Sequence, residues 1–195
     1  MTIERQELVL ADVKAWRAWL EENHSSSPGI WLVMAKKGTV EPTNITYAEA
    51  LEEALCFGWI DGQARSGDDV TYSQGFTPRR KRSVWSKRNT GIAERLVAER
   101  RMHQSGIFEM ERAKSDGRWE AAYAGPAGIE VPPDLSVALA VSPKALAKFE
   151  TLNSQNRYAV LYRVATAKRP ETRARRIEQF VAMLARGETI YPQKA

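Results

Sequence analysis

The chain has 195 residues, 43% of them hydrophobic and 27% charged, and its formal net charge is +5 at pH 7. This length and apolar content exclude an intrinsically disordered protein and allow one domain or two small ones. Because the chain has one cysteine, Cys56, and two histidines, an internal disulfide is excluded and a structural zinc site is disfavoured. Neither a metal nor a cofactor is therefore expected.

The positive charge favours acidic partners, such as nucleic acid, a phosphorylated metabolite, an anionic lipid or an acidic protein, although such a charge also serves solubility. The first seven residues mix both charges, and the apolar region of a secretion signal does not follow them. No stretch approaches the ~20 apolar residues that span a bilayer, so no transmembrane segment is expected. With the lone cysteine, these features predict a cytoplasmic protein.

The first elements along the chain are predicted to be a short strand, a helix and a central strand. Leu8–Leu10 is a short apolar run. Asp12 is a suitable N-cap for the helix that follows, in which Trp16 and Trp19 share the buried side. Ile30–Ala35 is apolar on both faces, which is typical of a central strand.

A second helix has clear start and stop signals. Thr46 and Glu49 have the spacing of a capping box, which predicts the start of the helix at this point. Gly58 can adopt positive φ at its end and lead the chain into a strand. The glutamates of this helix are assigned to its solvated face: Glu49, Glu52 and Glu53.

A hairpin is predicted after this helix, with strands at Trp59–Ala64 and Val70–Phe76. Asp61 lies at the start of the first strand and is a candidate general base. The alternative is that its carboxylate binds turn amides or pairs with one of the later arginines. His103 is a further candidate acid or base, but the sequence around it supplies no partner to orient it.

The segment 79–89 carries six Lys or Arg side chains, and no carboxylate occurs between residues 70 and 93. Such a run predicts a local positive field. Asn89 is predicted to cap the next helix, whose free amides would hold a phosphate or carboxylate while Trp85 stacks a planar group. The predicted anion- or partner-binding residues are Arg79, Arg80, Arg82, Trp85, Lys87, Arg88 and Asn89. The alternative is an exposed basic loop with Trp85 buried.

A Gly- and Pro-rich stretch at residues 124–133 reads as a linker between a domain at 1–123 and a helical region at 134–195. In the helical region, Pro143 and Pro170 mark helix starts. Basic residues accumulate there on one side, which defines a secondary basic face: Arg169, Arg173 and Arg176. The predicted fold class is α+β, a small mixed or antiparallel sheet with flanking helices, followed by a C-terminal helical hairpin.

Four motifs occur in order along the chain: Leu55–Gly62, Phe76–Asn89, Asp116–Trp119 and Ala167–Ile177. Together they resemble the YdeI/OmpD-associated family, whose members are often labelled bacteriocin-protection proteins, and the resemblance covers nearly the whole chain. It implies tolerance of bacteriocins or cationic antimicrobial peptides and association with an outer-membrane porin. It supplies no catalytic residues.

Three functions remain open at this point. The first is a cytoplasmic protein that binds an anion or a partner through segment 79–89. The second is a nucleic-acid-binding protein, although no zinc finger or aromatic RNA-binding signature is present. The third is an enzyme on a small anionic substrate, with Asp61 as the base, although the chain has no nucleophile elbow or phosphate-cradling glycine loop.

Overall fold

A computed structural model describes residues 5–125 and 128–193. The chain divides into two units, Met1–Ala122 and Tyr123–Ala195. The predicted linker at 124–133 falls within the second unit, and its residues Pro126 and Ala127 lie outside the described residues. So do residues 1–4 of the charged N-terminal stretch.

A four-stranded mixed sheet forms the framework of the first unit, in the order β1-β2-β4-β3. β1 pairs with β2 in parallel, whereas β2–β4 and β3–β4 are antiparallel. The prediction of a central strand is confirmed, because β2 lies between β1 and β4. The strands are β1 (Gln6–Leu8), β2 (Ile30–Ala35), β3 (Trp59–Ser66) and β4 (Thr71–Pro78).

Helices cover one face of this sheet and bury the larger of the two cores. Trp16 of α1 and Leu51 of α2 pack with Phe76 of β4 in this core. The predicted capping box at Thr46 is confirmed. Gly58, at φ +74°, reverses the chain into β3 as predicted. The helices of this unit are α1 (Val13–Asn23), α2 (Tyr47–Cys56), α3 (Lys87–Ala98) and α4 (Gln104–Ser115).

The prediction that Glu53 lies on the solvated face of α2 is wrong, because two arginines draw its carboxylate into the packed side. The Glu53 side chain is only 7% exposed, with Arg17 Nη1 2.7 Å from one oxygen and Arg101 Nη2 2.7 Å from the other. Arg101 also pairs with Glu52 at 3.0 Å. These ion pairs join α1, α2 and the segment between α3 and α4.

The C-terminal end of α2 lies against the start of α4 with little space between the two backbones. His103 N donates to Cys56 O at 3.0 Å, and Ser105 Oγ donates to Phe57 O at 3.0 Å. A Cβ atom at Gly106 would overlap the carbonyl oxygen of Cys56 and lie 2.8 Å from that of Leu55. Glycine at 106 is therefore what permits this approach.

The described part of the second unit is helical, which confirms the α+β class. It contains four helices, where the sequence predicts a helical hairpin: α5 (Pro133–Ala140), α6 (Pro143–Glu150), α7 (Ser154–Ala165) and α8 (Pro170–Ala185). Pro143 and Pro170 open their helices as predicted. Asn153 caps α7, since its Oδ1 accepts from Asn156 N at 2.9 Å. Leu135, Phe149 and Leu161 belong to the core of this unit.

Replacing Gly106 by alanine tests the close approach of α2 and α4. We expect Gly106→Ala to lower the free energy of unfolding by roughly 3 kcal/mol or more, because two backbone segments must separate. Gly91 is the matched control, since it lies inside α3 and its Cβ would meet open space. Gly91→Ala should raise stability by about 0.5–1 kcal/mol through helix propensity. Urea unfolding measures both, and equal stability of the two variants would contradict the packing described.

Replacing Glu53 by glutamine tests the buried carboxylate. We expect Glu53→Gln to lower the free energy of unfolding by roughly 1–3 kcal/mol, because two guanidinium groups lose their counter-charge while both remain partly solvated. Glu94→Gln on the exposed side of α3 is the control and should change stability by less than about 0.5 kcal/mol. Thermal unfolding of both variants is the measurement. A Glu53→Gln protein as stable as Glu94→Gln would show that the ion pairs contribute nothing.

Candidate functional site

The segment 79–89, which we call the basic turn, is fixed at several points by hydrogen bonds. Arg79 N donates to Gly58 O at 3.0 Å, so the turn begins directly against the end of α2. Arg80 N donates to Ser83 Oγ at 2.9 Å, and Ser83 N donates to Arg80 O at 2.9 Å. Arg118 Nη1 donates to Ser83 O at 2.7 Å from the chain that follows α4. The backbone of the turn is thus held in place by hydrogen bonds within the protein.

Arg79 and Trp85 form the buried floor of the basic turn. Arg79 is 6% exposed and its guanidinium lies 3.5 Å from the centroid of the Trp85 ring. Arg79 Nη1 donates to Val84 O at 3.1 Å. Trp85 is 1% exposed and also packs against Trp119, with ring centroids 4.7 Å apart. Trp85 therefore presents no open face on which a planar group could stack, which matches the alternative that the sequence left open for this residue.

Five other cations of the turn are exposed: Arg80, Lys81, Arg82, Lys87 and Arg88. Among residues 5–125 and 128–193, none of the five takes part in an ion pair. Arg88 instead lies 5.2 Å from the centroid of the Tyr47 ring. The positive charge predicted for this segment is therefore displayed to solvent.

The predicted role of Asn89 as a helix cap is wrong. Ser86 caps α3, because its Oγ accepts from Asn89 N at 3.1 Å. Asn89 lies within the first turn of the helix and is buried. The sequence offers two good capping residues three positions apart, and the earlier one is used. As a result, Lys87 and Arg88 belong to the first turn of α3, and the segment before them is a loop.

The carboxylate of Asp61 accepts a hydrogen bond from a neighbouring side chain. The Tyr47 hydroxyl donates to Asp61 Oδ2 at 2.8 Å. Burial, reinforced by this hydrogen bond, raises the pKa of Tyr47 above its ordinary range, so the hydroxyl keeps its proton at neutral pH. With Arg88 against the Tyr47 ring, the three side chains connect β3, α2 and α3. Asp61 thus helps to place the basic turn.

Of the three arginines predicted to form a secondary basic face, two make structural contacts within the second unit. Arg173 Nη2 lies 2.8 Å from Asp134 Oδ1, and Arg173 Nη1 donates to Val164 O at 2.9 Å. The bond from Arg173 lowers the pKa of Asp134. Arg176 donates to the backbone oxygen of Arg163. Of the three, Arg169 is exposed whereas Arg173 and Arg176 are partly buried, so this face offers less free charge than the sequence suggests.

A pocket of about 370 Å³ opens in the first unit beside the basic turn, and the sequence did not reveal it. The end of α1, the end of α2 and the start of α4 form it, and Phe108 stands at its mouth, 60% exposed. Its titratable lining residues are His24, Arg79 and Glu109. These positions are far apart in sequence. In the sequence, Gly58 and Gly106 could have indicated this pocket, because these glycines allow the surrounding segments to come close together.

Glu109, which lines this pocket, and His103, which contacts the lining residue His24, have shifted pKa values. Burial raises the pKa of Glu109, against the opposing effect of Arg112, whose Nη2 lies 2.5 Å from Glu109 Oε2. Burial also lowers the pKa of His103, and the nearby His24 acts in the same direction. The two imidazole rings lie edge to face with centroids 4.8 Å apart. His103 is thus oriented both by the distant His24 and by Ser105, whose amide donates to His103 Nδ1 at 3.2 Å, so the prediction that the surrounding sequence supplies no partner is wrong.

The described residues include no clustered metal ligands, and the single thiol of the chain is buried. Residues 5–125 and 128–193 contain no group of three or more His, Cys, Asp or Glu side chains that could hold a metal ion. The thiol of Cys56 is buried, and burial raises its pKa to about 11. Because the thiolate is the reactive form, this cysteine acts as a core residue at neutral pH.

The imidazole of His103 caps α4, so its protonation makes the stability of the folded protein depend on pH. His103 Nδ1 accepts from Ser105 N at 3.2 Å, which requires the unprotonated nitrogen. Since the folded-state pKa is below the ordinary value of 6.5, the unfolded chain binds this proton more readily. The stability that neutral His103 contributes is therefore lost as pH falls from about 6.5 through the folded-state pKa.

We expect His103→Asn, which keeps a capping acceptor, to lose less stability than the original chain when the pH is lowered from 7 to 5. Urea unfolding at several pH values is the measurement. Carboxylates contribute equally in both proteins, so the difference between the two slopes reports His103. Identical slopes would contradict the proposed protonation effect.

Comparison with known families agrees with part of the resemblance seen in the sequence. The family described as Domain of unknown function (DUF8412) matches residues 8–109, a little over half of the chain. The family described as Bacteriocin-protection, YdeI or OmpD-Associated matches residues 128–187, so this likeness covers the second unit rather than nearly the whole chain. No curated protein and no solved structure matches. In the described ranges, no helix is long and apolar enough to cross a membrane. The chain belongs to the DUF8412 family, and its residues 128–187 carry the region typical of bacteriocin-protection, YdeI or OmpD-associated proteins.

Proposed function

We propose that this protein binds an anion, and that the basic turn of its first unit holds a ligand bearing several phosphate groups. The observation that carries the proposal is the set of five exposed cations without ion-pair partners among the described residues. Other arginines of this unit, such as Arg17 and Arg101, are matched to carboxylates. The turn differs from them because its charge is displayed rather than neutralised.

The order of the turn supports a binding role. A flexible loop loses conformational entropy when it closes on a ligand, and this loss weakens binding. Here the hydrogen bonds at Arg79, Ser83 and Ser86 already fix the backbone. The stack of Arg79 on Trp85 supports the turn from beneath. A ligand therefore has to order only the exposed side chains.

The chemistry of the turn favours phosphate over a single carboxylate. Lys87 and Arg88 lie in the first turn of α3, where the helix dipole also favours negative charge. Arg80 and Arg82 extend the positive charge along the chain, so one carboxylate would neutralise only a small part of it. Arginine suits bidentate contacts to phosphate, whereas lysine acts as a point charge. A ligand with at least two phosphates is the best match.

The biological setting belongs to the same proposal. The family matched by residues 128–187 is described by bacteriocin protection, and we extend that description to this chain as a role in antimicrobial stress. The proposed location is the cytoplasm, in keeping with the single buried cysteine. A deletion strain that tolerates cationic bacteriocins as well as its parent would count against the role but not against anion binding.

Neutralising the turn tests the binding. We expect the triple variant Arg80→Gln, Arg82→Gln and Lys87→Gln to lose about tenfold or more in affinity for tripolyphosphate in low-salt calorimetry, equivalent to roughly 1.4 kcal/mol. The control carries Lys14→Gln, Lys37→Gln and Lys144→Gln, which remove the same charge from exposed positions elsewhere. This control should bind like the original chain.

Two results would overturn the proposal. If both triple variants weaken equally, net charge rather than the basic turn explains binding. If a 20-base-pair DNA duplex binds with affinity that falls steeply with salt while tripolyphosphate does not bind, the nucleic-acid alternative replaces the proposal.

A further inference from the structure

A second pocket, of about 500 Å³, lies within the second unit, and we call it the tyrosine pocket. Its volume falls in the range of small-molecule sites, ~300–1,000 Å³. One side of α7, from Ser154 to Arg163, and the chain that follows α8 form its walls. Its lining includes Ser154, Gln155, Tyr158, Tyr162, Arg163 and Tyr191. It shares no residue with the basic turn, so it is independent of the function proposed above.

A buried asparagine fixes the part of the chain that completes the tyrosine pocket. Asn156 is fully buried, and its side chain bonds both backbone groups of Tyr191. Asn156 Nδ2 donates to Tyr191 O at 3.1 Å, and Tyr191 N donates to Asn156 Oδ1 at 2.8 Å. Gln193 adds a further tie by accepting from Asn153 N at 3.0 Å. The position of Tyr191 beside α7 is thus specified by complete hydrogen bonding.

The tyrosine rings form an angled wall. Tyr158 and Tyr162 have centroids 5.5 Å apart and an interplanar angle of 33°. Tyr123, which does not line the pocket, packs edge-on against Tyr162, with ring centroids 5.1 Å apart and an interplanar angle of 77°. Tyr158 and Tyr162 provide no parallel slot that would sandwich a flat base. An angled aromatic wall suits a thicker, saturated ring, whose C–H face packs on aromatic carbon.

The charge of the tyrosine pocket disfavours a cation. An aromatic cage for ammonium groups relies on ring faces, and a nearby positive charge opposes it. Here Arg163 lines the pocket, and no carboxylate is among the lining residues. An acidic group on the ligand is therefore favoured.

The polar atoms of the tyrosine pocket suit hydroxyl groups. Burial raises the pKa of Tyr158 to about 12, so its hydroxyl stays protonated at neutral pH and can both donate and accept. Ser154 and Gln155 are exposed at the rim and add further donors and acceptors. A ligand with several hydroxyls can satisfy these groups together, whereas a purely apolar ligand would leave them unpaired.

We propose that the tyrosine pocket binds a saccharide that carries a carboxylate. The sugar ring packs against Tyr158 and Tyr162, and its hydroxyls bond the rim. The carboxylate lies toward Arg163. This places a carbohydrate-recognition site in the region matched by the bacteriocin-protection family.

Saturation-transfer NMR on the full chain tests this site with glucuronic acid, glucose, adenosine and phenyltrimethylammonium as probes. We expect glucuronic acid to bind better than glucose, and Tyr162→Ala to weaken glucuronic acid binding about tenfold or more through loss of the packing face. Tyr158→Phe keeps the ring and should weaken binding by a smaller factor. Arg163→Gln should remove the preference for glucuronic acid over glucose.

The control is Phe108→Ala, which removes an exposed aromatic ring from the first unit and should leave glucuronic acid binding unchanged. If Tyr162→Ala does not fold, Tyr158→Phe and Arg163→Gln still decide the matter. The proposal is overturned if glucuronic acid does not bind, or if neither of these two variants alters its binding. Tighter binding of adenosine or phenyltrimethylammonium than of glucuronic acid would also overturn it, in favour of a flat or cationic ligand.

Discussion

The first unit depends on the close approach of two backbones where α2 ends. The carbonyl oxygens of Cys56, Phe57 and Gly58 accept from the amide of His103, the hydroxyl of Ser105 and the amide of Arg79, respectively. Three consecutive carbonyls at the end of one helix, which would otherwise lack partners, thus fix both the start of α4 and the start of the basic turn. The basic turn and the neighbouring pocket are therefore positioned by the same rigid contact at the end of α2. Gly106 leaves room for this contact because it has no side chain.

Ion pairing sorts the arginines of this unit into two groups with different tasks. Glu53 is buried with Arg17 and Arg101 around it, which holds the helices together. Arg118 pairs with Asp116 and at the same time donates to the backbone of the basic turn. A paired guanidinium adds little to the outer field, because its charge is matched within a few ångström. The exposed cations of the turn are left to dominate the local potential.

Local signals in the sequence were sufficient for the fold class and for several element boundaries. Thr46, Gly58 and Pro170 act through their own backbone or their immediate neighbours, so their effects can be read from short windows. The burial of Glu53 could not be read in this way, because its partners come from positions 36 and 48 residues away. The choice of Ser86 over Asn89 as a cap is a similar case, since both residues are competent locally.

The candidate sites show why a basic composition predicts function only in part. Segment 79–89 was correctly expected to carry positive charge, but sequence could not tell that Arg79 is buried on Trp85 while its neighbours remain exposed. A buried arginine stacked on tryptophan acts as a support, and the cations around it form the proposed binding surface. In the second unit, Arg173 has likewise become structural through Asp134, whereas Tyr158, Tyr162 and Tyr191 line a pocket. Folding decides which polar groups remain able to bind a ligand. This outcome depends on contacts between distant parts of the chain, which short stretches of sequence do not reveal.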